Sequence, residues 1–267
     1  MTIKEFVQKY DPQNQFDVLV NSYLQIENAW NNQININGIN TFGISSIVIS
    51  GLGGSAISAD LIKNFLRDEL SIPLFVNRNY VLPKFVNEDT LFIASSYSGN
   101  TEETISSLKQ AIELGCRIIC LSTGGEIEAI AKSKNIACIK VQEGYQPRYS
   151  LGLSFFSLLK IFQQLNFIKD QSDVVERIKS IWEQNGIEFS KLENAAYTIA
   201  ESLVGFIPVI YSVADSTSSV GYRFKCQLNE NSKLHAFHNE VPEMNHNEII
   251  GWESYQEKIF HSKIVII

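Results

Sequence analysis

Ser46-Ile47-Val48-Ile49-Ser50-Gly51-Leu52-Gly53-Gly54-Ser55-Ala56 is a short β-branched run, a glycine turn and the opening of a helix. An apolar run without polar alternation is the mark of a strand buried on both faces, as in a parallel sheet. The same beat repeats downstream. Residues 55–67 have helical period, Ile72-Pro73-Leu74-Phe75-Val76 and Leu91-Phe92-Ile93-Ala94-Ser95 read as strands, and 102–114 as a helix. Arg117-Ile118-Ile119-Cys120-Leu121, a helix over 126–133 and Ile136-Ala137-Cys138-Ile139-Lys140-Val141 continue the series. Strands alternating with helices predict a doubly wound α/β domain with a parallel sheet flanked by helices.

Ahead of this unit, Phe16, Leu19, Val20, Tyr23, Leu24, Ile26 and Trp30 recur at helical spacing, predicting one amphipathic helix over 14–32. Behind it, helices are expected at about 150–166 and 171–184 as a bridge, the second with Asp170 or Ser172 as its N-cap. A second beat follows: helix 190–203, strand 207–212, helix 216–229 and a final apolar run, Lys263-Ile264-Val265-Ile266-Ile267. No glycine turn recurs after the second strand run, so duplication is read from element order alone. The domain expectation is an N-terminal helical segment over 1–40, a first domain over 41–168 and a second, incomplete one over 169–267. A sheet of two or three strands is thin for independent stability, and the final run has nothing after it to cover it. Both features predict that the sequence is a C-terminally incomplete version of a longer one.

Composition narrows the function classes. At 267 residues with 45% hydrophobic content, the chain can bury a large core. Its 22 basic and 29 acidic residues give a net charge of −7, which removes the diffuse positive field of nonspecific nucleic-acid binding. Any anion must therefore be held locally. The opening Met1-Thr2-Ile3-Lys4-Glu5-Phe6 lacks a signal-peptide core, and no apolar run approaches the ~20 residues of a spanning helix. Neither nucleic acid nor a membrane is expected as a partner, and a cytoplasmic location is. Cys116, Cys120, Cys138 and Cys226 form no C-x-x-C pair and read as buried, reduced thiols.

Two loops are competent to hold an anion. Gly51-Leu52-Gly53-Gly54-Ser55-Ala56 places glycine backbone before a helix N-terminus, where unsatisfied N–H groups and partial positive charge favour phosphate. It also fits G-x-G-x-x-A, so a nicotinamide cofactor remains an alternative. That reading expects a carboxylate after the second strand, where the sequence has Val76-Asn77-Arg78-Asn79-Tyr80. The second loop is Ser96-Tyr97-Ser98-Gly99-Asn100-Thr101, opening a helix at Glu102-Glu103-Thr104. Hydroxyls at Ser96, Ser98 and Thr101 beside a glycine supply the donor density a phosphate needs without a lysine. The alternative is that Asn100 or Thr101 merely caps the helix. Two such loops at the carboxyl ends of strands favour one phosphorylated ligand, because open parallel sheets bind ligands at that edge.

With Gln146-Pro147-Arg148, Asn229-Glu230-Asn231-Ser232-Lys233 and Asn245-His246-Asn247-Glu248-Ile249, these loops resemble the bifunctional phosphoglucose/phosphomannose isomerases. The resemblance spans about residues 40–250 and implies the sugar isomerase (SIS) fold, with two SIS-type domains. It also implies aldose–ketose interconversion of glucose 6-phosphate, mannose 6-phosphate and fructose 6-phosphate through an enediol(ate). On that resemblance Glu230 is the base, His246 assists ring opening and Arg148 steadies the enediolate, while Gly53, Gly54, Ser55, Ser96, Ser98 and Thr101 hold phosphate and sugar. Proton transfer of this kind requires no cofactor and no metal. The family also implies a homodimer with shared sites, and a further lysine and threonine for which no position up to Ile267 matches.

Residue type alone leaves alternatives open: Glu230 can be a solvated helix-end glutamate and Arg148 a surface charge. His235, His238, Glu240, Glu243 and His246 crowd one segment and could chelate zinc, although no H-E-x-x-H is present. A non-enzymatic SIS module that senses a sugar phosphate, and an amino-sugar phosphate isomerase, are the competing functions.

Overall fold

The computed structural model describes residues 3–36, 38–254 and 261–267. The chain divides into two compact units, one built from residues up to 62 and 68–190, the other from 63–67 and 191–267. The boundary falls after Ser190, so the long helix that precedes it belongs to the first unit.

That unit opens with helices α1 (Ile3–Tyr10), α2 (Gln15–Val20) and α3 (Tyr23–Asn31). The single helix expected over 14–32 is broken at Asn21 and Ser22, where the Asn21 N–H returns to Asp17 and its side chain bonds the Asp17 carbonyl and carboxylate. Asparagine competing for local backbone in this way favours a helix end over continuation. The β/α series follows as β1 (Ser46–Ser50), α4 (Gly54–Phe65), β2 (Leu74–Asn77), β3 (Thr90–Ser95), α5 (Glu102–Glu113), β4 (Arg117–Ser122), α6 (Gly125–Lys134) and β5 (Ala137–Lys140). Helices α7 (Leu151–Gln164) and α8 (Ser172–Phe189) complete the unit.

The sheet is fully parallel, in the order β2-β1-β3-β4-β5. Chain direction along the sheet reverses between β1 and β3, the switch point at which open α/β sheets receive ligands. Ile47, Val48 and Ile49 of β1, and Leu91, Phe92, Ile93 and Ala94 of β3, have no exposed surface. Residues of both parities are buried, so helices cover both faces, as the unbroken apolar runs require. On one face Val48, Phe92, Ala94 and Cys120 pack against Leu108 and Ala111 of α5 and Ile127 and Ala131 of α6.

Helix α8 packs on α2 and α3. It begins at Ser172 with Gln171 as N-cap, so neither proposed cap residue fills that place. Asp170 instead accepts from the Ser172 hydroxyl at 2.8 Å. Gly186 of α8 faces the Val20 carbonyl so closely that a Cβ would come within 2.1 Å of that oxygen. Between α7 and α8, Phe156 and Trp182 meet edge to face with centroids 6.1 Å apart.

The second unit contains α9 (Ala195–Leu203), β6 (Ile207–Val213), α10 (Ser218–Gln227), β7 (Phe237–Val241), α11 (Glu248–Gly251) and β8 (Ser262–Ile266). Its sheet is parallel in the order β7-β6-β8. β7 was not among the expected strands, because its Phe-His-Asn-Glu-Val sequence reads as polar loop. The α9 start lies five residues later than expected, at the point where the Asn194 side chain accepts from the Tyr197 N–H at 2.9 Å. Helix α10 continues as a π-helical turn over Leu228–Ser232.

All four cysteines are free, but only Cys120 is fully buried; Cys116, Cys138 and Cys226 are half-buried. Among the described residues no helix is long and apolar enough to cross a membrane.

Leu108, fully buried between α5 and the sheet, should cost about 2–5 kcal/mol when replaced by alanine. Urea denaturation with an unchanged slope measures it, and Leu114→Ala, at a position 43% exposed, serves as the near-neutral control. Burial, with a smaller contribution from Cys138, pushes the Cys120 thiol up to about 12. The folded state thus keeps a proton that the unfolded chain releases above its ordinary thiol value, so this contribution to stability is lost as pH rises from about 9 towards 12. At pH 8 Cys120 should resist a disulfide reagent that labels it fully in denaturant.

Candidate functional site

Three segments of the first unit meet at the carboxyl edge of its sheet. Gly51, the first residue after β1, passes so close to β3 that a Cβ would lie 2.7 Å from the Ser95 carbonyl oxygen. Gly53 takes a left-handed φ of 53°, and a Cβ on Gly54 would lie 2.8 Å from the Pro147 carbonyl. The loop after β1 is therefore pressed against both the end of β3 and the segment carrying Arg148. Behind it, the buried Asn77 amide donates to the Ser50 hydroxyl at 3.4 Å and the Ser107 hydroxyl at 2.9 Å. Ser55 stands on the first turn of α4 at 7% exposure.

The loop after β3 is held largely by its own hydroxyls. Ser96, 2% exposed, shares a proton with Thr101 at an oxygen separation of 2.8 Å and accepts from the Gly99 N–H at 3.1 Å. The two hydroxyls carry two protons; one lies between them and one remains to donate outward. Ser98 is exposed and accepts from the Asn100 N–H at 3.3 Å, which leaves its own O–H available.

Helix capping, the bland explanation for this loop, is not how its side chains are used. Thr101 occupies the N-cap position of α5 without a side-chain cap bond. Asn100 caps the neighbouring helix, accepting from the Glu126 N–H of α6 at 3.0 Å. The Gly99 carbonyl accepts from Ile127 N–H, also at 3.0 Å. This crossing requires glycine: Gly99 has φ 70°, and a Cβ there would fall 1.8 Å from the Gly124 carbonyl oxygen. The first-turn N–H groups of α5 are thus left without a side-chain cap, directed at the loop and backed by the helix dipole. No lysine or arginine lies within the loop, and Glu102 and Glu103 follow it. An anion here would be held by neutral, directional donors.

Arg148 sits on a 3₁₀ turn, Pro147–Tyr149, half-buried with its guanidinium 5.0 Å over the Tyr149 ring. The turn is anchored from α3. The buried Gln25 donates to the Tyr149 carbonyl at 2.7 Å and accepts from the Gly152 N–H at 3.1 Å. Of the expected residues, Gly53, Gly54, Ser55, Ser96, Ser98, Thr101 and Arg148 therefore lie on three adjoining segments of one unit.

Glu230 and His246 belong to the second unit. Glu230 is exposed on the π-helical turn that extends α10, and so lies within helical structure rather than beyond it. It stands in the field of Arg223, two turns earlier. Burial draws that guanidinium below its ordinary value and the Glu230 carboxylate opposes the shift. The turn is closed by Lys233, in the left-handed region at φ 55°, and by Asn229, which accepts from the Ala236 N–H at 3.0 Å.

His246 is exposed at the end of a 3₁₀ turn, Glu243–His246. The segment is tied to the sheet through Glu248, whose carboxylate accepts from the Tyr211 hydroxyl at 2.6 Å and from the Asn239 amide. Trp252 Nε1 donates to the same hydroxyl at 2.8 Å. Burial, then the Glu248 bond, pushes Tyr211 up to about 12, so it remains a neutral donor. Sequence reading missed this network.

His235 and His238 do not converge. His235 lies against Phe237 with ring centroids 4.8 Å apart, while His238 Nε2 is 2.6 Å from the Ser212 hydroxyl. Burial, then Lys225, draws His238 below its ordinary value. Among the described residues no group of three His, Cys, Asp or Glu side chains is placed to hold a metal ion.

Solved structures share this architecture at low identity. Tagatose-6-phosphate ketose/aldose isomerase from Escherichia coli matches with a TM-score of 0.63 and 15% identity, over 94% of this chain and 70% of that one. The C-terminal domain of glucosamine-fructose-6-phosphate aminotransferase from Francisella tularensis gives 0.65 and 16%, over 95% and 73%. A family model described as the bacterial phospho-glucose isomerase C-terminal SIS domain matches residues 192–267. The fold is thus that of the SIS proteins.

Sequence relatives are more specific. A bifunctional phosphoglucose/phosphomannose isomerase from Caldicellulosiruptor bescii is 38% identical over 257 residues, covering 94% of this chain and 76% of that protein. One from Aquifex aeolicus is 39% identical over 210 residues, covering 78% and 62%. The chain belongs to the bifunctional phosphoglucose/phosphomannose isomerase family. A D-glucosamine-6-phosphate 4-epimerase from Sulfolobus acidocaldarius is also 33% identical over 216 residues, covering 80% and 66%.

The two serines should separate by role. Ser98→Ala should weaken binding of inorganic phosphate about tenfold and leave stability within ~0.5 kcal/mol, because its outward O–H is lost and no buried partner is orphaned. Ser96→Ala should weaken binding and also cost about 1–3 kcal/mol, since the Gly99 N–H loses its side-chain acceptor. Calorimetric titration and urea denaturation of both variants test the distinction.

Proposed function

We propose that the chain interconverts glucose 6-phosphate, mannose 6-phosphate and fructose 6-phosphate by proton transfer between C1 and C2. The observation that carries this reading is the cation-free hydroxyl loop at the sheet's switch point, in a chain with the relatives described above. Gly53, Gly54, Ser55, Ser96, Ser98 and Thr101 hold the phosphate and the sugar. The phosphate thereby fixes one end of the substrate, so that C1 and C2 are presented at a set distance from it.

Glu230 acts as the base. It removes the proton from the carbon next to the carbonyl and returns it to the neighbouring carbon, so the reaction balances without an oxidant. His246 moves protons between the ring oxygen and the anomeric hydroxyl during ring opening. Arg148 stabilises the enediolate oxygen, where negative charge develops. The protein works as a homodimer with shared sites, in the cytoplasm, and needs neither metal nor redox cofactor. A sugar-phosphate sensor built on the same fold would have no use for Glu230.

The test is a coupled assay in which fructose 6-phosphate, then mannose 6-phosphate, is supplied and glucose 6-phosphate is followed. Glu230→Gln should lower kcat by about 10²–10⁴ while KM stays within about threefold, the signature of a lost acid/base group. Wild-type turnover by that variant removes Glu230 as the base. The 4-epimerase relative provides a second reading on the same scaffold, so glucosamine 6-phosphate is supplied in parallel and its product examined by NMR. Formation of a C4 epimer, with neither hexose phosphate turned over, would replace isomerisation with epimerisation.

A further inference from the structure

Tyr97 lies between the two phosphate-loop serines and points away from them. Its hydroxyl donates to the Gln142 carbonyl at 3.0 Å and accepts from the Tyr145 N–H at 2.9 Å. Both partners are backbone groups of the strap that leads from β5 to the Arg148 turn, and Tyr145 is three residues before Arg148. At the other end of the residue, the Tyr97 carbonyl accepts from the Thr123 N–H at 3.0 Å and the Thr123 hydroxyl at 2.7 Å. The side chain is half-buried.

The strap is held by few bonds, among them one from the Gln146 amide to the Gln13 side chain. It contains no regular element between β5 and the Pro147–Tyr149 turn. Gly144 has a left-handed φ of 103° and nothing within 4 Å of where a Cβ would stand. Its ends are secured by the Val141 N–H on the Ser122 carbonyl at 3.0 Å and by Gln25 on the Tyr149 carbonyl at 2.7 Å. Between those ends, Tyr97 bonds the backbone at two points.

We propose that Tyr97 is a positioning residue that couples occupancy of the phosphate loop to the placement of Arg148. The inference rests on the reading of 96–101 as the phosphate site. A phosphate bound by Ser96, Ser98 and Thr101 immobilises the backbone on both sides of Tyr97. The phenol transmits that order to Gln142 and Tyr145, and through them to the turn that carries the guanidinium. Bound phosphate thus orders the cation needed at the other end of the sugar. Burial raises the Tyr97 phenol above its ordinary value, so it stays a protonated donor over the working pH range.

Amide hydrogen exchange on the full chain, with and without inorganic phosphate, reads the coupling directly. Phosphate should slow exchange at 96–104 and also at 142–149. In Tyr97→Phe, which keeps the ring and removes both strap bonds, phosphate should bind within about twofold of the unaltered protein and protect only 96–104. In the isomerase assay that variant should lose about tenfold in kcat with KM within about threefold, because the phosphate donors are intact while the remote cation is displaced.

If phosphate protects 96–104 in the unaltered chain but leaves 142–149 unchanged, the coupling is overturned and the phosphate site stands. If it protects neither segment, both readings fall. Equal protection of 142–149 in the unaltered chain and in Tyr97→Phe overturns the role of the phenol. The measurement on the unaltered chain decides the coupling even if the variant does not fold.

Discussion

Two strands of a parallel sheet can offer their ends to one ligand only if the turns above them come within a few ångströms of each other. In this protein that approach is made at Gly51, whose backbone packs on the Ser95 carbonyl with no room for a side chain. Gly54 makes the same approach to Pro147, and Gly99 to Gly124. The donors of the loop after β1, the hydroxyls of the loop after β3 and the Arg148 turn are neighbours because these backbones touch. The electrostatics follow from the geometry. With α5 left without a side-chain cap and no cation in the loop, an anion bound there would be selected by the direction of N–H and O–H groups rather than by charge.

The second unit solves a different problem, which is to hold short, polar, solvent-facing turns in fixed places. Glu230 stands on a π-helical turn beside Arg223, and His246 on a 3₁₀ turn tethered through Glu248 to Tyr211, Asn239 and Trp252. Neither residue is buried, so the backbone and its neighbours provide the preorganisation that packing provides elsewhere. The Tyr211 hydroxyl, shared by a carboxylate and an indole, ties this segment to the sheet alongside the small apolar cluster of Val209, Tyr211 and Met244.

The first sheet was legible in the sequence because strands buried on both faces have no polar alternation, and Ile47-Val48-Ile49 and Leu91-Phe92-Ile93-Ala94 could hardly be anything else. β7 was not legible: Phe-His-Asn-Glu-Val gains its place by pairing with β6, a tertiary contact that outweighs a polar sequence. The helix break at Asn21 and the shift of α9 to Asn194 were decided by single asparagine side chains, below the resolution of a periodicity argument. Of the site, the hydroxyl loop could be read from residue type and spacing. That Asn100 serves α6 rather than α5 could not, because the partner lies 26 residues away. The roles proposed for Glu230 and His246 rest on family resemblance; their surroundings came only from the structure.

The crossing of Gly99 under Gly124 has a consequence for how this fold can drift. Each loop carries the other's helix cap or backbone contact, so their lengths are locked together, and an insertion in one would unseat the other. Substitution is filtered there by volume before it is filtered by chemistry. At Gly144 a Cβ would meet nothing within 4 Å, yet its left-handed φ of 103° still favours glycine, and the Tyr97 bonds to Gln142 and Tyr145 fix the length of chain between them.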